Sequence, residues 1–338
     1  MNRRIEVASY GGEEVLKLVH EPLREPHPNE LRIRVEGAGV ALADIMRREG
    51  KYPNSPAVPF VPGYDAVGIV DRVGSDVGQY KEGDRAGVFY NGTGAYAEYV
   101  YEAADHVFRI PASVDAAEAV AIVLNYVTAY QMLHRLAQVS HGERILVHGA
   151  AGGVGSALLD LGRQLGLRMY GTASAAKHSV LTEFGALPID YRKDDFVRVL
   201  AETVPGGIDA VFDPIGGEHW MRSFRTLGAE GRFIGYGYTS VLGHGQTAAW
   251  VSDWSSLAES GRTPQGHPAY LYSITGLRGT HPEWFLEDVA LLMSWLEEGK
   301  LKPLVSHRIP LSRAAEAHRL LTSSNGNAAV GKIVLIPG

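Results

Sequence analysis

A glycine-rich turn, set between a short apolar run and a helical pattern, constrains this chain more than any other feature. Apolar residues fill positions 145–147, small residues crowd positions 149–155, and leucines at helical spacing follow from residue 158. That order predicts a buried parallel strand, a tight turn and a helix. Counted from Ala150, the spacing is A-x-G-x-x-G. Gly152 would let the backbone approach a pyrophosphate, and Gly155 would let the helix pack closely on its strand.

The helix after this turn predicts where a phosphate would bind. The free N–H groups and the positive end of a helix hold negative charge. We therefore interpret the turn as a dinucleotide site. Its expected cofactor contacts are Ala151, Gly152, Gly153, Val154 and Gly155.

Length and composition limit the other classes of protein. A chain of 338 residues is long enough for two domains with separate cores. The net charge of -6, with signs interspersed, gives no basic footprint for nucleic acid. We expect no apolar run of the ~20 residues that a membrane span requires, and the N-terminus lacks the apolar stretch of a secretory signal. Without cysteine there is no disulfide, thiolate nucleophile or cysteine-ligated zinc, and we expect a cytoplasmic protein.

The hydrophobic pattern divides the chain into two regions. Residues 5–110 are typical of strands and turns, with strand candidates that include 31–36 and 94–100, and one helical turn at 42–49. This region predicts a small β-rich barrel. From residue 143, strands and helices alternate, which indicates a parallel sheet wound with helices.

The later part of the chain is less regular. Residues 239–270 are rich in Gly, Ser, Pro and Trp and interrupt the alternation. A strand-like segment at 272–278 is expected to complete the sheet, and a strand at 332–336 is expected to return to the first domain. Trp250, Trp254 and Tyr270 could line or cover an apolar pocket, or could form a dimer contact or a satellite core.

Five segments follow one another in a characteristic order: GVALAD at 39–44, PGYDAVG at 62–68, KEGDR at 81–85, GAYAE at 94–98 and the glycine-rich turn. Together they resemble the medium-chain dehydrogenase/reductase superfamily, and specifically its zinc-free quinone oxidoreductase branch, which is related to zeta-crystallin. The resemblance implies an α/β fold with a GroES-like β-barrel domain and a Rossmann domain with a doubly wound parallel sheet. The expected boundaries are 1–122 with 279–338 for the barrel domain and 123–278 for the Rossmann domain, with an insertion at about 239–270.

The same resemblance bears on zinc. Zinc-bearing relatives place a cysteine two positions before a Ser/Thr-Asp pair, and here those places hold Ala41, Ala43 and Asp44. Tyr64 stands where the relatives' Gly-His-Glu segment supplies a histidine. Tetrahedral zinc needs histidine or thiolate ligands, so we expect no metal. The thirteen histidines show no close pair at ligand spacing and are expected to be surface or packing residues.

The segment after the second Rossmann strand predicts the choice of nicotinamide. An acid there would hydrogen-bond the ribose 2′-hydroxyl of NAD, and residues 170–177 contain none. Ser174 can donate a hydrogen bond and Lys177 can bring positive charge to a 2′-phosphate. In the resembling family, Lys177 and Tyr191 match residues that hold this phosphate. The pattern favours NADPH as the cofactor.

Residues near the reacting ring are implied by the resemblance alone. It places Tyr52, Asn125 and Thr128 around the nicotinamide, with the segment that contains Gly235 and Tyr236. Asp44 and Lys332 are further expected cofactor-binding residues, although Asp44 is better suited to orienting its loop than to acting as an acid. Ala41 and Met46 replace polar residues of the relatives, so a substrate contact known in the family cannot be carried over. The expected catalytic residues are Tyr52, Tyr64 and Asn125, with the two tyrosine hydroxyls able to polarise a carbonyl or relay a proton.

These features predict a metal-free, NADPH-dependent reductase. The expected acceptor is a quinone or an α,β-unsaturated ketone or aldehyde, since simple alcohols need a Lewis acid for their alkoxide. An enoyl-thioester reductase and a non-catalytic NADPH-binding protein remain as alternatives. The expected partners are a small-molecule substrate and a second copy in a homodimer, because the family usually forms one through the edge of the Rossmann sheet. No nucleic acid or membrane partner is expected.

Overall fold

A computed structural model describes residues 1–243, 247–323 and 329–338, and these fall into two units. Unit 1 contains Met1–Val127 and Phe285–Gly338, and unit 2 contains Thr128–Trp284. The division lies within six residues of the boundaries expected from the sequence.

The strands follow the chain in this order: β1 (Asn2–Val7), β2 (Leu16–Glu21), β3 (Glu30–Val40), β4 (Asp65–Val73), β5 (Arg85–Phe89), β6 (Tyr99–Ala103), β7 (Phe108–Arg109), β8 (Arg144–Val147), β9 (Arg168–Ala173), β10 (Leu187–Asp190), β11 (Ile208–Asp213), β12 (Leu227–Gly235), β13 (Ala269–Leu271), β14 (Val305–Pro310) and β15 (Lys332–Ile336). The α-helices are α1 (Leu42–Arg48), α2 (Ala116–Ala121), α3 (Val127–Tyr130), α4 (Gly153–Gln164), α5 (His178–Glu183), α6 (Phe196–Thr203), α7 (Glu218–Phe224), α8 (Thr247–Ser260), α9 (Ile274–Thr280), α10 (Pro282–Glu297) and α11 (Ala314–Thr322).

Unit 1 is built around a sheet in the order β14-β15-β3-β4-β5-β7, with β6 also paired to β3. β3 is buried over most of its length, with Arg34 as its exposed residue, and Leu31, Ile33 and Val35 join a core that is rich in small and β-branched residues. β15 pairs antiparallel with β3, with Ile333 opposite Val40. The two ends of the chain therefore build one sheet.

Unit 2 contains a parallel sheet in the order β10-β9-β8-β11-β12-β13. This is the doubly wound arrangement, in which the order reverses beside the first strand, β8. β8 is short and apolar, and Ile145, Leu146 and Val147 are completely buried, as expected for a strand covered on both faces. The carboxyl end of β8 therefore lies at the switch point, where such sheets bind ligands.

Three local expectations were wrong. Residues 247–260, within the segment expected to be irregular, form helix α8, while 244–246 lie outside the described residues. Residues 274–280 form helix α9 rather than a strand, because Ser273 accepts the Gly276 N–H as an N-cap, and β13 supplies the last strand instead. In unit 1 the strand expected at 94–100 occupies Tyr99–Ala103.

The aromatic residues of this later segment pack on one another within unit 2. Trp250 is buried and stacks on Tyr238, with ring centroids 5.7 Å apart and planes 12° from parallel. Trp254 contacts Trp220 at a centroid distance of 6.1 Å. These contacts form a satellite core, whereas Tyr270 on β13 remains exposed.

One helical run is more apolar than expected. α2, α3 and the π-helical segments Ile122–Tyr126 and Gln131–Leu136 form a continuous run of 21 residues, Ala116–Leu136, which contains a stretch of 18 residues with a mean hydropathy of 1.2. By length and composition this run could cross a membrane, so the expectation that no segment reaches that length was wrong. Its most apolar stretch is 83% buried inside the protein, which is typical of a core helix.

Candidate functional site

The glycine-rich turn forms a backbone cradle at the carboxyl end of β8. Gly149 has a φ of +63°, and Gly152 is the N-cap of α4. A Cβ added to Gly155 would lie 2.3 Å from the Gly149 carbonyl oxygen, so the helix packs on the turn at a distance that only glycine allows. The first N–H groups of α4, from Gly153 and Val154 onward, have no acceptor within the helix. This geometry fits a bound pyrophosphate.

The predicted 2′-phosphate residues meet at the neighbouring strand ends. β9 and β10 are parallel and pair Ala173 with Asp190, so Ser174 and Tyr191 leave the sheet side by side. Lys177 follows in a single helical turn, half-buried. Burial, and then the positive charge of Arg192, lower the pKa of the Lys177 ammonium.

Arg192 was missed as a candidate by sequence reasoning. Its guanidinium also lies 5.8 Å from the centre of the Tyr191 ring. Arg192 therefore adds a second positive charge at this strand end, where it would favour a bound anion. The available signal was its place directly after Tyr191, in a segment that the prediction already used.

The other predicted cofactor residues of unit 2 lie on the helical run and at a third strand end. Thr128 is buried in α3. Gly235 ends β12, and the hydroxyl of Tyr236 donates to the carbonyl oxygen of His148 at 3.4 Å. Tyr236 is therefore tied to the residue that follows β8, next to the glycine-rich turn.

Asp44 of unit 1 is the centre of a closed hydrogen-bond network. Its carboxylate accepts from the backbone N–H of Ala41 at 2.8 Å and of Gly63 at 3.2 Å, and from the Tyr96 hydroxyl at 3.0 Å. The residue is completely buried. Burial raises the pKa of Asp44 to about 7, although these donors oppose the rise. The structure thus shows Asp44 fixing the start of α1, and its contact with a cofactor stays a prediction.

The network continues from Tyr96 to the other end of the chain. His318 on α11 lies with Nε2 3.2 Å from the Tyr96 hydroxyl and Nδ1 3.1 Å from Nη1 of Arg48. A guanidinium can only donate, so Nδ1 accepts and Nε2 carries the proton. Burial lowers the pKa of His318 to about 3, which keeps the ring neutral. Arg48 also donates to Glu49 and to the Gly11 carbonyl oxygen.

Lys332, another predicted cofactor residue, is buried in an ion pair. Its Nζ lies 3.0 Å from Oδ2 of Asp65, and both side chains are almost completely buried. A Cβ on Gly39 would fall 2.4 Å from Cε of Lys332, so the backbone of β3 passes directly beside the pair. The ammonium is therefore already neutralised inside unit 1, and a direct contact with the cofactor remains a prediction.

Tyr52 and Tyr64, the two predicted catalytic tyrosines, are brought together by Arg47. Its Nη2 donates to the Tyr64 hydroxyl oxygen at 2.9 Å, and Nε lies 3.3 Å from the same oxygen. The guanidinium carbon stands 4.1 Å from the centre of the Tyr52 ring. Sequence reasoning missed Arg47, because its hydrogen-bond partner is 17 positions away and no local pattern marks the pair.

Asn125, the third predicted catalytic residue, lies in the π-helical segment Ile122–Tyr126. The residue is buried, with 6% of its surface exposed. π-Helical segments are frequent at functional sites. The residue is therefore a suitable donor or acceptor for a bound molecule.

A close pair of histidines exists in unit 2, contrary to the expectation from sequence. His148, Asp213 and His219 place ligand-type atoms within 4.8 Å of one another. No local pattern marks this pair, because β8 and α7 are far apart in the chain and are brought together only by the order of strands in the sheet. Asp213 accepts from His219 at 2.7 Å and from the Ser223 hydroxyl at 2.6 Å.

The remaining atoms of this cluster are also occupied. His148 contacts the Thr172 hydroxyl through Nδ1 at 3.0 Å and the Ser223 hydroxyl through Nε2 at 3.1 Å. Burial lowers the pKa of His148 to about 3, so the ring is neutral. We interpret the cluster as a hydrogen-bonded core network, and the expectation of no metal stays a prediction.

Comparison with known proteins gives the family. Residues 27–112 match the family described as alcohol dehydrogenase GroES-like domain, and residues 184–335 match the family described as zinc-binding dehydrogenase. The chain is 32% identical to a synaptic vesicle membrane protein VAT-1 homolog of Mus musculus, over 99% of this chain and 84% of that protein. It is 30% identical to a quinone oxidoreductase of Homo sapiens, over 99% and 97% of the two chains.

A solved structure agrees with both the fold and the sequence comparison. The crystal structure of Escherichia coli quinone oxidoreductase complexed with NADPH matches with a TM-score of 0.85 and 31% identity, over 99% of this chain and 100% of that one. The predicted combination of a GroES-like domain with a Rossmann domain is confirmed. The chain belongs to the medium-chain dehydrogenase/reductase superfamily, in its zinc-free quinone oxidoreductase branch.

Proposed function

We propose that this protein reduces a quinone, or the β-carbon of an α,β-unsaturated ketone or aldehyde, with NADPH as the hydride donor and without a metal. The chain is an NADPH-dependent oxidoreductase. NADPH, when bound, supplies the hydride, and the protein supplies position and polarity. The finer assignment of the acceptor is our proposal.

The observation that carries the cofactor assignment is the cationic strand end of unit 2. Lys177 and Arg192 lie close enough for one charge to lower the pKa of the other. No acid occupies residues 170–177, where one would repel a 2′-phosphate. Ser174 adds a hydroxyl at the same edge of the sheet. A 2′-phosphate would bring negative charge beside both cations, whereas the ribose of NADH would not.

Titration of NADPH and NADH, followed by protein fluorescence, tests this assignment on the wild type and on Lys177→Ala. Hydrogen bonds to charged groups contribute about 1.5–3 kcal/mol, so we expect NADPH affinity to fall about 10-fold to 100-fold and NADH affinity to change little. Lys300→Ala, an exposed lysine of unit 1, serves as the matched control. Equal loss for both nucleotides, or no loss for either, would place the 2′-phosphate elsewhere.

The acceptor is tested by NADPH oxidation with a quinone, an enone and an enoyl thioester. Turnover of the first two supports the proposal, while turnover confined to the thioester would favour the enoyl-thioester reductase. NADPH binding without turnover of any acceptor would favour the non-catalytic alternative.

We also propose a homodimer formed through the edge of the unit 2 sheet. β13 is the last strand in the sheet order and carries exposed Tyr270. Main-chain N–H and C=O groups at a sheet edge can pair with a second copy, although the Ala269 N–H already donates to the Gly261 carbonyl oxygen. Analytical ultracentrifugation of the wild type and of Leu271→Pro, a proline variant on the side of β13 that faces away from β12, tests the proposal. We expect a dimer that the proline weakens, and a monomeric wild type would refute it.

A further inference from the structure

The cluster of Arg47, Tyr52 and Tyr64 holds a buried cation with an unusual set of partners. Arg47 is only 7% exposed. Its contacts are the Tyr64 hydroxyl and the faces of the two tyrosine rings, at 4.1 and 5.3 Å from the guanidinium carbon. Within residues 1–243, 247–323 and 329–338, no carboxylate lies at ion-pair distance from it. A buried charge without a counter-ion is costly, and such a charge is well suited to stabilise a negative charge that appears during a reaction.

In this arrangement the Tyr64 hydroxyl accepts hydrogen bonds, but it donates none within the described residues. Its oxygen accepts from Nη2 and Nε of Arg47, and both of these groups can only donate. The phenolic hydrogen therefore points away from Arg47, and in the described part of the chain it has no acceptor. A buried hydroxyl that lacks an acceptor for its hydrogen is ready to donate to the oxygen of a bound molecule.

The guanidinium is fixed from a third side by the backbone. A Cβ added to Gly92 would lie 2.5 Å from Nε of Arg47. Gly92 has a φ of +99°, a conformation that favours glycine. The Tyr52 ring, the Tyr64 hydroxyl and Gly92 together hold the planar group in one orientation.

We propose that Tyr64 donates its phenolic proton to the carbonyl oxygen of an α,β-unsaturated ketone or aldehyde, and that Arg47 is the positioning residue that aims this hydroxyl and stabilises the phenolate left behind. The inference rests on the proposed function and narrows the substrate class. Hydride adds to the β-carbon of the acceptor, the C=C electron pair moves to form the enol C=C, and the carbonyl π pair moves to oxygen. The oxygen takes the Tyr64 proton, giving an enol. A proton from bulk solvent then restores the Tyr64 hydroxyl, and the enol tautomerises to the saturated ketone or aldehyde.

The charges around Tyr64 decide how well it can act as an acid. Burial raises the pKa of the Tyr64 hydroxyl. The nearby Tyr52 and Asp44 raise it further, and Arg47 lowers it. Without Arg47 the phenolate would have no compensating cation within the described residues. A quinone is the stronger electrophile, because its reduction forms an aromatic ring, so its reduction depends less on proton donation to the oxygen than the reduction of an enone does.

This difference gives a test that a purely structural role would not pass. Steady-state rates with an enone and with a quinone are compared for the wild type, Tyr64→Phe, Arg47→Met and Arg47→Lys, with exposed Arg72→Met as the matched control. We expect Tyr64→Phe to lower kcat for the enone about 100-fold and for the quinone less than about fivefold. Arg47→Met should lower the enone rate about 10-fold, and Arg47→Lys should restore part of it. Equal losses on both acceptors, or no loss on either, would overturn the inference.

A binding measurement separates this inference from the proposed function. 4-Nitrophenolate, a planar oxyanion with visible absorbance, is titrated into each variant. We expect binding to the wild type that is lost in Tyr64→Phe, weakened at least fivefold in Arg47→Met and unchanged in Arg72→Met. A wild type that reduces neither acceptor refutes the proposed function, and the nitrophenolate series then still decides whether Tyr64 and Arg47 form an oxyanion donor. Binding that is equal in every variant would overturn it.

Discussion

Unit 1 contains two buried polar networks, each with an arginine of α1 and a tyrosine hydroxyl, and they end differently. The network of Arg48, His318, Tyr96 and Asp44 runs from a guanidinium to a carboxylate, and both the Nε2–H of His318 and the hydroxyl of Tyr96 have an acceptor. The cluster of Arg47 and Tyr64 ends at a phenol whose hydrogen has no acceptor among the described residues. Adjacent arginines on α1 thus enter a closed and an open arrangement. A closed network stabilises the fold, whereas an open one keeps a donor available for chemistry.

Removal of the carboxylate should damage the closed network most. Asp44→Ala leaves two buried backbone N–H groups and the Tyr96 hydroxyl without their acceptor. Each unsatisfied buried donor costs about 1–3 kcal/mol, so we expect a loss of at least about 3 kcal/mol in the free energy of unfolding. Urea denaturation followed by circular dichroism measures it. A loss below about 1 kcal/mol would show that the network is not closed on Asp44.

The same substitution should remove a pH dependence of stability. Burial raises the pKa of Asp44 to about 7 in the folded protein, with Asp65 adding to the rise and Tyr96 and Lys332 opposing it, whereas an unfolded aspartate titrates near ~4. The folded state therefore binds the proton more tightly, so the stability from Asp44 is greatest below about pH 4 and is lost as the pH rises through about 7.

The wild type and Asp44→Ala should consequently differ most at acidic pH. Between pH 5 and 7 the difference in unfolding free energy should shrink by up to about 1.4 kcal/mol per pH unit. Denaturation curves at several pH values measure this slope. A difference in unfolding free energy that grows with pH would mean that the hydrogen-bond donors around Asp44 lower its pKa more than burial raises it.

One substitution, tyrosine to phenylalanine, compares the two networks directly. Tyr96→Phe leaves the buried Nε2–H of His318 without an acceptor, so we expect a loss of about 1–3 kcal/mol in stability. The ratio of enone to quinone turnover should not change. Tyr64→Phe leaves Nη2 and Nε of Arg47 without their acceptor, so we expect a stability loss of at least about 1–3 kcal/mol here too, but with a changed turnover ratio. A changed turnover ratio in Tyr96→Phe, or an unchanged one in Tyr64→Phe, would erase the distinction between closed and open.

The dinucleotide turn was predictable because its function lies in the backbone and its residues are contiguous. Gly152 and Gly155 act through the space that a missing Cβ leaves, and a local pattern records that requirement. The strand ends at Ser174 and Tyr191 followed from the alternation of strands and helices, since parallel strands end at one edge. The fold class and most elements could therefore be predicted from local sequence and from the resemblance.

The open cluster and the histidine pair could not be predicted in this way. Arg47 meets Tyr64, and His148 meets His219, only after the sheets have formed. Helix α9 was mistaken for a strand because its apolar residues suit either period, and the Ser273 cap decided the outcome. Such clusters of side chains depend on tertiary structure, which a short stretch of sequence does not contain.

The pairing of β15 with β3 has a consequence for how the protein is synthesised. β3 ends at Val40, and its neighbour in the sheet begins at Lys332. During synthesis on the ribosome, part of one edge of β3 stays unpaired until Lys332–Ile336 has been translated. Unit 2 is contiguous in sequence and can complete its own sheet first. Unit 2, which carries the dinucleotide turn, should therefore complete its fold before β15 joins unit 1, which carries Tyr64.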